Sequence, residues 1–337
     1  MATTSSTASE LSREQLLTLF RNMLTQRAVD TRGFQLNRQG KIGIAMGSEG
    51  HEAVQAGTGL AFERGKDLLY PYYRNTGLIL ACGFPLDDLF RSQLAREKDT
   101  TGGRSIINHV TARALGIASI SSIIAAQCTH AAGAAWALKR AGDGDRVVFC
   151  QFGEGATSQG EWHEALNFAA VHALPVVFLC ENNQWAISTP ISKQMRVASV
   201  AARAGGYGIR GVTCDGFDPV AVYTTVRDAR AHAAGGHGPV LVESMCYRFL
   251  SHTTDDDDRT YRTRDEVAGQ RPNDPVPKYE QQLVERGVLS ADDVAALKRE
   301  ITELVNRTTD EIEQEPYPDP RSLYGNVYAG PDDAWLS

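Results

Sequence analysis

The chain has 337 residues, of which 34 are Lys or Arg and 41 are Asp or Glu, so its formal net charge is -7. This acidic balance argues against a nucleic-acid partner. The sequence contains no run of about 18 apolar residues, so we expect no membrane-spanning helix and no membrane partner.

The cysteines and the N-terminal residues indicate the cellular compartment in which the protein resides. The 6 cysteines lie far apart and form no C-x-x-C pair, which is typical of reduced, buried thiols and not of zinc sites or disulfides. Residues 1–9 are rich in Ser and Thr and lack both arginine and an apolar core, so they do not resemble a targeting peptide. We therefore predict a cytoplasmic protein of bacterial or archaeal type with a disordered tail over 1–11. A processed mitochondrial chain would begin in the same way.

The N-terminal part is predicted to be largely helical. Ser12 and Gln15 form a capping-box pattern, and the apolar residues that follow keep helical spacing, so a long first helix begins here. Residues 99–116 are polar and contain several glycines, which indicates a surface loop. We further predict a helix over 51–60, a short strand over 68–70 and an alanine-rich helix over 125–139.

The central part contains two buried strands. Residues 146–150 and 175–180 are apolar without alternation, which is typical of parallel strands covered by helices on both faces. A helix over 162–171 separates them and completes a βαβ unit. The pattern then repeats as a strand, a helix and a strand, at 209–214, 219–234 and 240–247. This series predicts an α/β fold with a doubly wound, mostly parallel sheet, which binds ligands at the carboxyl ends of its strands.

The C-terminal part returns to helices. Residues 250–277 are polar and acidic and are predicted to form a loop. Ser290 begins a second capping pattern, and apolar residues keep helical spacing to about Gln314, after which three prolines end the helix. We therefore predict one domain over 12–315, with helical N- and C-terminal extensions, and an extended arm over 316–337.

The strand ends of the central unit carry the strongest chemical signal. Glu154 lies between two glycines after one buried strand, and Asn183 follows the next, so both should meet at one edge of the sheet. A carboxylate, an amide oxygen and a backbone carbonyl would form half of an oxygen shell for Mg²⁺, which phosphate oxygens and water would complete. A helix beginning near Ser158 would direct its N–H groups at a diphosphate. The alternative is two ordinary turns, because Gly and Asn are common turn residues.

These turns also resemble a known motif. Gly153-Glu154-Gly155 followed by Asn182-Asn183 is similar to the thiamine-diphosphate motif. The surrounding sequence resembles, over about 12–328, the α subunit of the E1 component of 2-oxo acid dehydrogenase complexes, which implies a thiamine-diphosphate-binding fold. The segments that carry the resemblance are Gly47-Ser48-Glu49-Gly50-His51-Glu52-Ala53, Tyr73-Arg74, Ile120-Ser121-Ser122, Phe168-Ala169-Ala170 and Ser251-His252-Thr253-Thr254-Asp255. The Gly-Glu-Gly sequence, the serine pair and the acidic run over 255–258 resemble the branched-chain 2-oxo acid type.

The resemblance implies Mg²⁺ and thiamine diphosphate as cofactors. Mg²⁺ would be bound by Glu154, by the side chain of Asn183 and by the backbone carbonyl of Trp185, where relatives usually have Tyr. The residues implied to contact the cofactor are Tyr73, Arg74, Gly155, Ala156 and His252 at the diphosphate, and Ser122 and Ile124 near the pyrimidine. Ile123 occupies a position at which members of the resembled family often have proline. Ala126 replaces a threonine that some members use for a monovalent ion, so that ion is not expected here.

His252 is the implied catalytic residue. The resemblance gives it contact with the diphosphate and a part in acyl transfer to lipoamide. Thr253 occupies the position of a regulated serine in mitochondrial relatives and is a candidate phosphorylation site. Tyr73 and Ile44 are candidates for the substrate pocket.

The resemblance implies the function of a 2-oxo acid dehydrogenase (acyl-transferring) E1 α subunit. Such a subunit takes part in thiamine-diphosphate-dependent oxidative decarboxylation of a branched-chain 2-oxo acid and in reductive acylation of the lipoyl group of E2. Because the sequence shows only the diphosphate half of the site, we expect an E1 β subunit to complete it in an α₂β₂ heterotetramer. The other expected partners are the lipoyl domain of E2 and the small-molecule 2-oxo acid.

Two alternatives remain open. The same type of subunit could act on pyruvate or acetoin, or the chain could be a non-catalytic scaffold subunit. A G-x-G-x-x-G pattern at 206–211 precedes a predicted strand instead of following one, so it does not favour a dinucleotide site.

Overall fold

A computed structural model of the chain describes residues 11–325. The N-terminal elements are α1 (Arg13–Arg38), α2 (Glu52–Ala61), β1 (Leu68–Tyr70), α3 (Thr76–Ala81) and α4 (Leu86–Gln93). The predicted capping box at the start of α1 is present, because Gln15 N donates to Ser12 Oγ at 3.2 Å and Ser12 N donates to Gln15 Oε1 at 2.9 Å. The short helices α3 and α4 were not predicted.

The central elements follow the predicted order. They are α5 (Ala126–Ala141), β2 (Val148–Gly153), α6 (Gly160–Val171), β3 (Val176–Asn182), β4 (Trp185–Ala186), β5 (Thr189–Pro190), β6 (Arg210–Asp215), α7 (Pro219–Ala234) and β7 (Val240–Met245). A 3₁₀ helix, Glu154–Ser158, lies between β2 and α6. The predicted helix start near Ser158 was therefore early, because Gln159 has an extended backbone that separates the two helices.

The five longer strands form one parallel sheet in the order β1-β2-β3-β7-β6, and β4 and β5 form a separate antiparallel pair. Alternate residues of the strands enter two cores. Phe149 and Val177 pack with α7 on one face, whereas Cys150 and Phe178 pack with α5 and α6 on the other. This arrangement confirms the predicted α/β class with a doubly wound, mostly parallel sheet.

The C-terminal elements are α8 (Arg264–Gln270), α9 (Pro275–Glu285) and α10 (Ala291–Ile312). The prediction of a loop throughout 250–277 was wrong, since α8 and the first turn of α9 lie within it. Thr263 caps α8 by accepting from Glu266 N at 3.1 Å, and Asp274 caps α9 by accepting from Val276 N at 3.1 Å. The predicted cap of α10 is present at Ser290, which accepts from Asp293 N at 3.1 Å.

The helical extensions pack on each other. Leu19 and Phe20 of α1 share a core with Tyr279 of α9 and Leu297 of α10. Of the predicted tail and arm, residues 1–10 and 326–337 lie outside the described residues, so the domain limits stay a prediction. Within residues 11–325, no helix combines the length and the apolar composition that crossing a bilayer requires.

Candidate functional site

A cavity of about 450 Å³ opens at the carboxyl ends of β2 and β3. Its position at the edge of a parallel sheet is where open α/β folds bind ligands. Most residues predicted for the site line this cavity. They are Tyr73, Arg74, Ser122, Ile124, Glu154, Gly155, Ala156, Asn183, Trp185 and His252.

Glu154 is a fully buried carboxylate at the end of β2. Its oxygens accept long hydrogen bonds, from Asn183 N at 3.3 Å and from Gln194 Nε2 at 3.5 Å. Burial raises the pKa of Glu154 above its ordinary value. Among residues 11–325, no Lys, Arg or His forms an ion pair with it. A buried carboxylate that lacks a cationic partner fits a bound metal ion, which would offset its desolvation.

Asn183 and Trp185 supply two further oxygens beside Glu154. The Asn183 side chain turns Oδ1 toward Trp185 N, which donates to it at 3.1 Å. The Trp185 carbonyl accepts from Arg248 Nη1 at 3.3 Å. Together with Glu154 they form a carboxylate, amide and carbonyl set, the donor chemistry that hard cations prefer. Within residues 11–325, no group of three or more His, Cys, Asp or Glu side chains is arranged so that it could hold a metal ion.

Gly155 allows close approach of backbone at this edge. A Cβ atom placed on Gly155 would lie 2.6 Å from Cβ of Ala186, well inside contact distance. Gly153 has no atom within 4 Å of the corresponding position. The second glycine of the Gly-Glu-Gly sequence is therefore sterically required, whereas the first is not.

Tyr73, Arg74 and His252 form the opposite wall. Arg74 is 2% exposed, and its Nη2 lies 3.1 Å from His252 Nδ1. Burial, with Arg74 and Arg248 nearby, lowers the pKa of His252 to about 3, so this imidazole is neutral near pH 7. The Tyr73 ring packs edge-on against His252 with centroids 6.0 Å apart. The wall thus presents guanidinium groups, a phenol and a neutral imidazole, a set suited to an anionic ligand.

Comparison with known proteins agrees with this geometry. The model of the family described as "Dehydrogenase E1 component" matches residues 20–321. The chain belongs to this family. Dehydrogenase E1 components depend in general on thiamine diphosphate, and the donor set described above fits that cofactor.

Relatives of this E1 chain match it over most of its length. It is 42% identical over 330 residues to the "2-oxoisovalerate dehydrogenase subunit alpha" of Bacillus subtilis (strain 168), which covers 98% of this chain and 100% of the relative. It is 39% identical over 281 residues to the "3-methyl-2-oxobutanoate dehydrogenase subunit alpha" of Mycobacterium tuberculosis (strain ATCC 25618 / H37Rv), covering 83% and 74%. It is 36% identical over 320 residues to the "2-oxoisovalerate dehydrogenase subunit alpha, mitochondrial" of Mus musculus, covering 94% and 72%.

Two predicted residues of the E1 chain lie outside the cavity lining. Ile44 is half-buried and does not line the cavity, whereas Met46, two residues later, does. Thr253 is also half-buried, and its Oγ1 accepts from Asp255 N at 3.2 Å. The assignment of Thr253 as a phosphorylation site stays a prediction.

His109 contacts the cavity residue Ser122, and the sequence did not predict this contact. Its Nε2 lies 2.5 Å from Ser122 Oγ, and its Nδ1 lies 2.8 Å from the Ile107 carbonyl. Because a carbonyl can only accept, Nδ1 carries the proton and Nε2 accepts from the serine hydroxyl. The Ser122 hydroxyl proton is thereby engaged, and the oxygen is left to accept from a ligand in the cavity.

Glu181 anchors a buried polar network behind the E1 cavity, and the sequence analysis gave it no role. The carboxylate accepts from Tyr72 Oη at 2.7 Å, Asn75 Nδ2 at 2.7 Å and Gln151 Nε2 at 2.8 Å. His51 Nδ1 lies 2.5 Å away. Burial alone would raise the pKa of Glu181, but His51 and the other donors lower it below its ordinary value. The sequence did not predict this cluster, because its members lie 30 to 130 positions from Glu181 along the chain.

Proposed function

We propose that this chain is the alpha subunit of an E1 component that decarboxylates a branched-chain 2-oxo acid and transfers the acyl group to the lipoyl group of an E2 partner. The observation that carries the proposal is the buried Glu154 beside Asn183, facing Arg74 and His252 in one cavity. A scaffold subunit would gain nothing from an unpaired buried carboxylate, which costs stability.

In this proposal Glu154, the Asn183 side chain and the Trp185 carbonyl bind Mg²⁺. Thiamine diphosphate supplies, when bound, the carbanion-stabilising chemistry that loss of CO₂ from a 2-oxo acid requires. A bound Mg²⁺ would offset the buried negative charge of Glu154. The backbone N–H groups of Gly155 and Ala156 lie in the same 3₁₀ turn and are assigned to diphosphate oxygens.

Tyr73, Arg74 and His252 are assigned to the other side of the diphosphate. Since Arg74 donates to His252 Nδ1, the ring proton resides on Nε2, which makes the neutral imidazole a hydrogen-bond donor. We assign to His252 the donation of that hydrogen bond to phosphate oxygen and, during acyl transfer, to developing negative charge. Ser122 and Ile124 are assigned to the pyrimidine end of the cofactor.

The branched-chain preference is supported by the relatives, which are named for 2-oxoisovalerate and 3-methyl-2-oxobutanoate. The Gly-Glu-Gly sequence is a second support. Tyr73, with Met46 and Ile106 from the same cavity, offers an apolar surface for a branched side chain. Ile44 does not line this cavity, so it has no direct place in the proposed pocket.

A second chain is proposed to complete the site in an α₂β₂ heterotetramer, with the lipoyl domain of E2 as the acyl acceptor. The relatives are themselves named as alpha subunits. The exposed side chains Ile123 and Ile187 border the cavity, and they are 70% and 53% exposed. Large apolar side chains left exposed together beside a cavity are typical of a surface that another protein covers.

The test is reconstitution of this chain with a β-type chain, thiamine diphosphate, Mg²⁺ and a lipoyl domain. We expect higher kcat/KM for 3-methyl-2-oxobutanoate than for pyruvate or acetoin, and no turnover by the lone chain. Glu154→Gln should remove Mg²⁺-dependent cofactor binding. A preference for pyruvate would reassign the substrate, and an assembled complex without turnover on any 2-oxo acid would favour the scaffold alternative.

A further inference from the structure

His51 connects the buried Glu181 to the side chain of Asn183. It precedes α2 and is fully buried. One ring nitrogen, Nδ1, lies 2.5 Å from Glu181 Oε2, and the other, Nε2, lies 3.3 Å from Asn183 Nδ2. Both polar atoms of the ring are therefore engaged, and they join two residues only two positions apart along the chain.

The hydrogen bonds fix the direction of each group. Trp185 N donates to Asn183 Oδ1 at 3.1 Å, so the amide nitrogen of Asn183 is the end that faces His51. That nitrogen can only donate, which makes Nε2 of His51 an acceptor and places the ring proton on Nδ1, facing the Glu181 carboxylate. Glu181 thereby selects the tautomer of His51, and His51 Nε2 together with Trp185 N fixes the orientation of the Asn183 amide.

We propose that His51 is a positioning residue that holds Oδ1 of Asn183 toward the site of a divalent cation. The proposal rests on the function proposed above, in which Asn183 binds Mg²⁺. A rotated amide would offer NH₂ to the cation, and an NH₂ group cannot coordinate it. Partners of this kind behind metal ligands commonly control metal affinity by about 10- to 100-fold.

A role limited to packing predicts different behaviour from a role in orientation. A side chain that only fills space can be replaced by leucine with an effect on stability alone. Glutamine, in contrast, has a donor and an acceptor at the two ends of one amide, so it can donate to Glu181 and accept from Asn183. The pair His51→Leu and His51→Gln therefore separates the two roles.

The experiment uses the complex of this chain with a β-type chain at a fixed concentration of thiamine diphosphate. Calorimetry measures Mg²⁺ binding as Mg²⁺ is titrated into this complex. We expect His51→Leu to raise the Mg²⁺ concentration at half-saturation by about tenfold or more, and His51→Gln to stay close to the unaltered complex. Thr58→Val is the matched control, because Thr58 is buried in the same helix α2 and its hydroxyl has no hydrogen-bond partner among the described residues. This control should not move the titration.

Unchanged half-saturation in His51→Leu, or an equal loss in His51→Gln, would overturn the positioning role. If His51→Leu fails to fold, Glu181→Leu supplies the second variant, since it removes both oxygens that can accept from His51 Nδ1 and should also weaken Mg²⁺ binding. Cofactor binding by the unaltered complex that does not depend on Mg²⁺ is a distinct outcome. It would overturn the metal assignment to Asn183 and, with it, the role of His51.

Discussion

Nη2 of Arg74 lies 3.1 Å from Nδ1 of His252, so a buried guanidinium donates to the one imidazole nitrogen that has no proton. Guanidinium groups cannot accept hydrogen bonds, and this contact therefore exists only while the ring is neutral. Arg74 in turn donates to the Gly47 carbonyl, which holds it in place. The pair thus determines both the charge and the tautomer of His252 before any ligand binds.

This relationship predicts an unusual pH dependence for His252. Burial, followed by Arg74 and Arg248, lowers its pKa from 6.5 to about 3. Between these values the unfolded chain binds a proton that the folded chain does not, so stability is lost as pH falls from 6.5 toward 3. We expect ¹⁵N NMR of the histidine-labelled chain to show His252 still neutral at pH 5.

Arg74→Gln is the informative variant for this prediction. It removes a positive charge from beside the ring, so the pKa of His252 should rise toward its ordinary value. A His252 resonance that titrates near pH 6.5 in the unaltered chain would contradict the assignment.

The ionisation of Asp30 is expected to change the stability with pH in the direction opposite to that of His252. Burial raises the pKa of this carboxyl from 3.8 to about 8, and Ser48 N donates to it at 2.6 Å. Because the folded chain holds a proton that the unfolded chain has released, stability is lost as pH rises from 3.8 through 8. Asp30→Asn keeps the acceptor for Ser48 and cannot ionise. Urea unfolding at several pH values should show a smaller decrease from pH 5 to pH 8 in this variant than in the unaltered chain, and equal slopes would refute the prediction.

The two glycines of the Gly-Glu-Gly sequence predict unequal effects of the same substitution. Gly155→Ala places a methyl group 2.6 Å from Ala186 Cβ, and overpacking of this kind costs about 1–3 kcal/mol. Displacement of the 3₁₀ helix that contains both residues would also move Glu154, and misplacement by about 1 Å can cost about 100-fold in rate. Gly153→Ala is the matched control, with open space around the new methyl group. Similar cofactor affinity in the two variants, measured by calorimetry, would show that close packing at Gly155 is unimportant.

The sequence predicted the central sheet well because its signal is local. The apolar runs of β2 and β3 reflect strands whose side chains are buried on both faces of the sheet. The capping boxes at Ser12 and Ser290 involve residues only three positions apart. The helix α8 was not predicted because it is short, Val267 is its one large apolar residue, and none of its seven residues is fully buried. Its start at Thr263 is a capping signal that could have been found.

The site residues that follow strand ends could be predicted from the sequence. Those that are brought together only by the tertiary fold could not. Glu154 and Asn183 end neighbouring strands, so their proximity follows from the topology alone. His51 and His109, in contrast, are isolated histidines in sequence, the more common fate of which is a solvated or structural position. Only the folded chain shows that His51 contacts Asn183 and that His109 contacts Ser122.

The rim of the cavity predicts where the second chain binds. Four isoleucines that line the cavity are at least 41% exposed: Ile106, Ile123, Ile124 and Ile187. Ile123, at 70%, is the most exposed of them. A charge introduced at a buried interface position weakens association, because the carboxylate must be desolvated without a partner.

We therefore expect Ile123→Glu to weaken assembly with a β-type chain by about tenfold or more, which corresponds to about 1.4 kcal/mol. Val284→Glu is the control, since Val284 is also apolar and exposed but lies on α9, which does not line the cavity. Sedimentation velocity over a range of concentrations measures the dissociation constant for each variant. Assembly that is unaffected by Ile123→Glu, or equally weakened by Val284→Glu, would place the interface elsewhere. Weakening confined to Ile123→Glu would locate the second chain directly over Ser122 and Ile124, where the pyrimidine end of the cofactor is assigned.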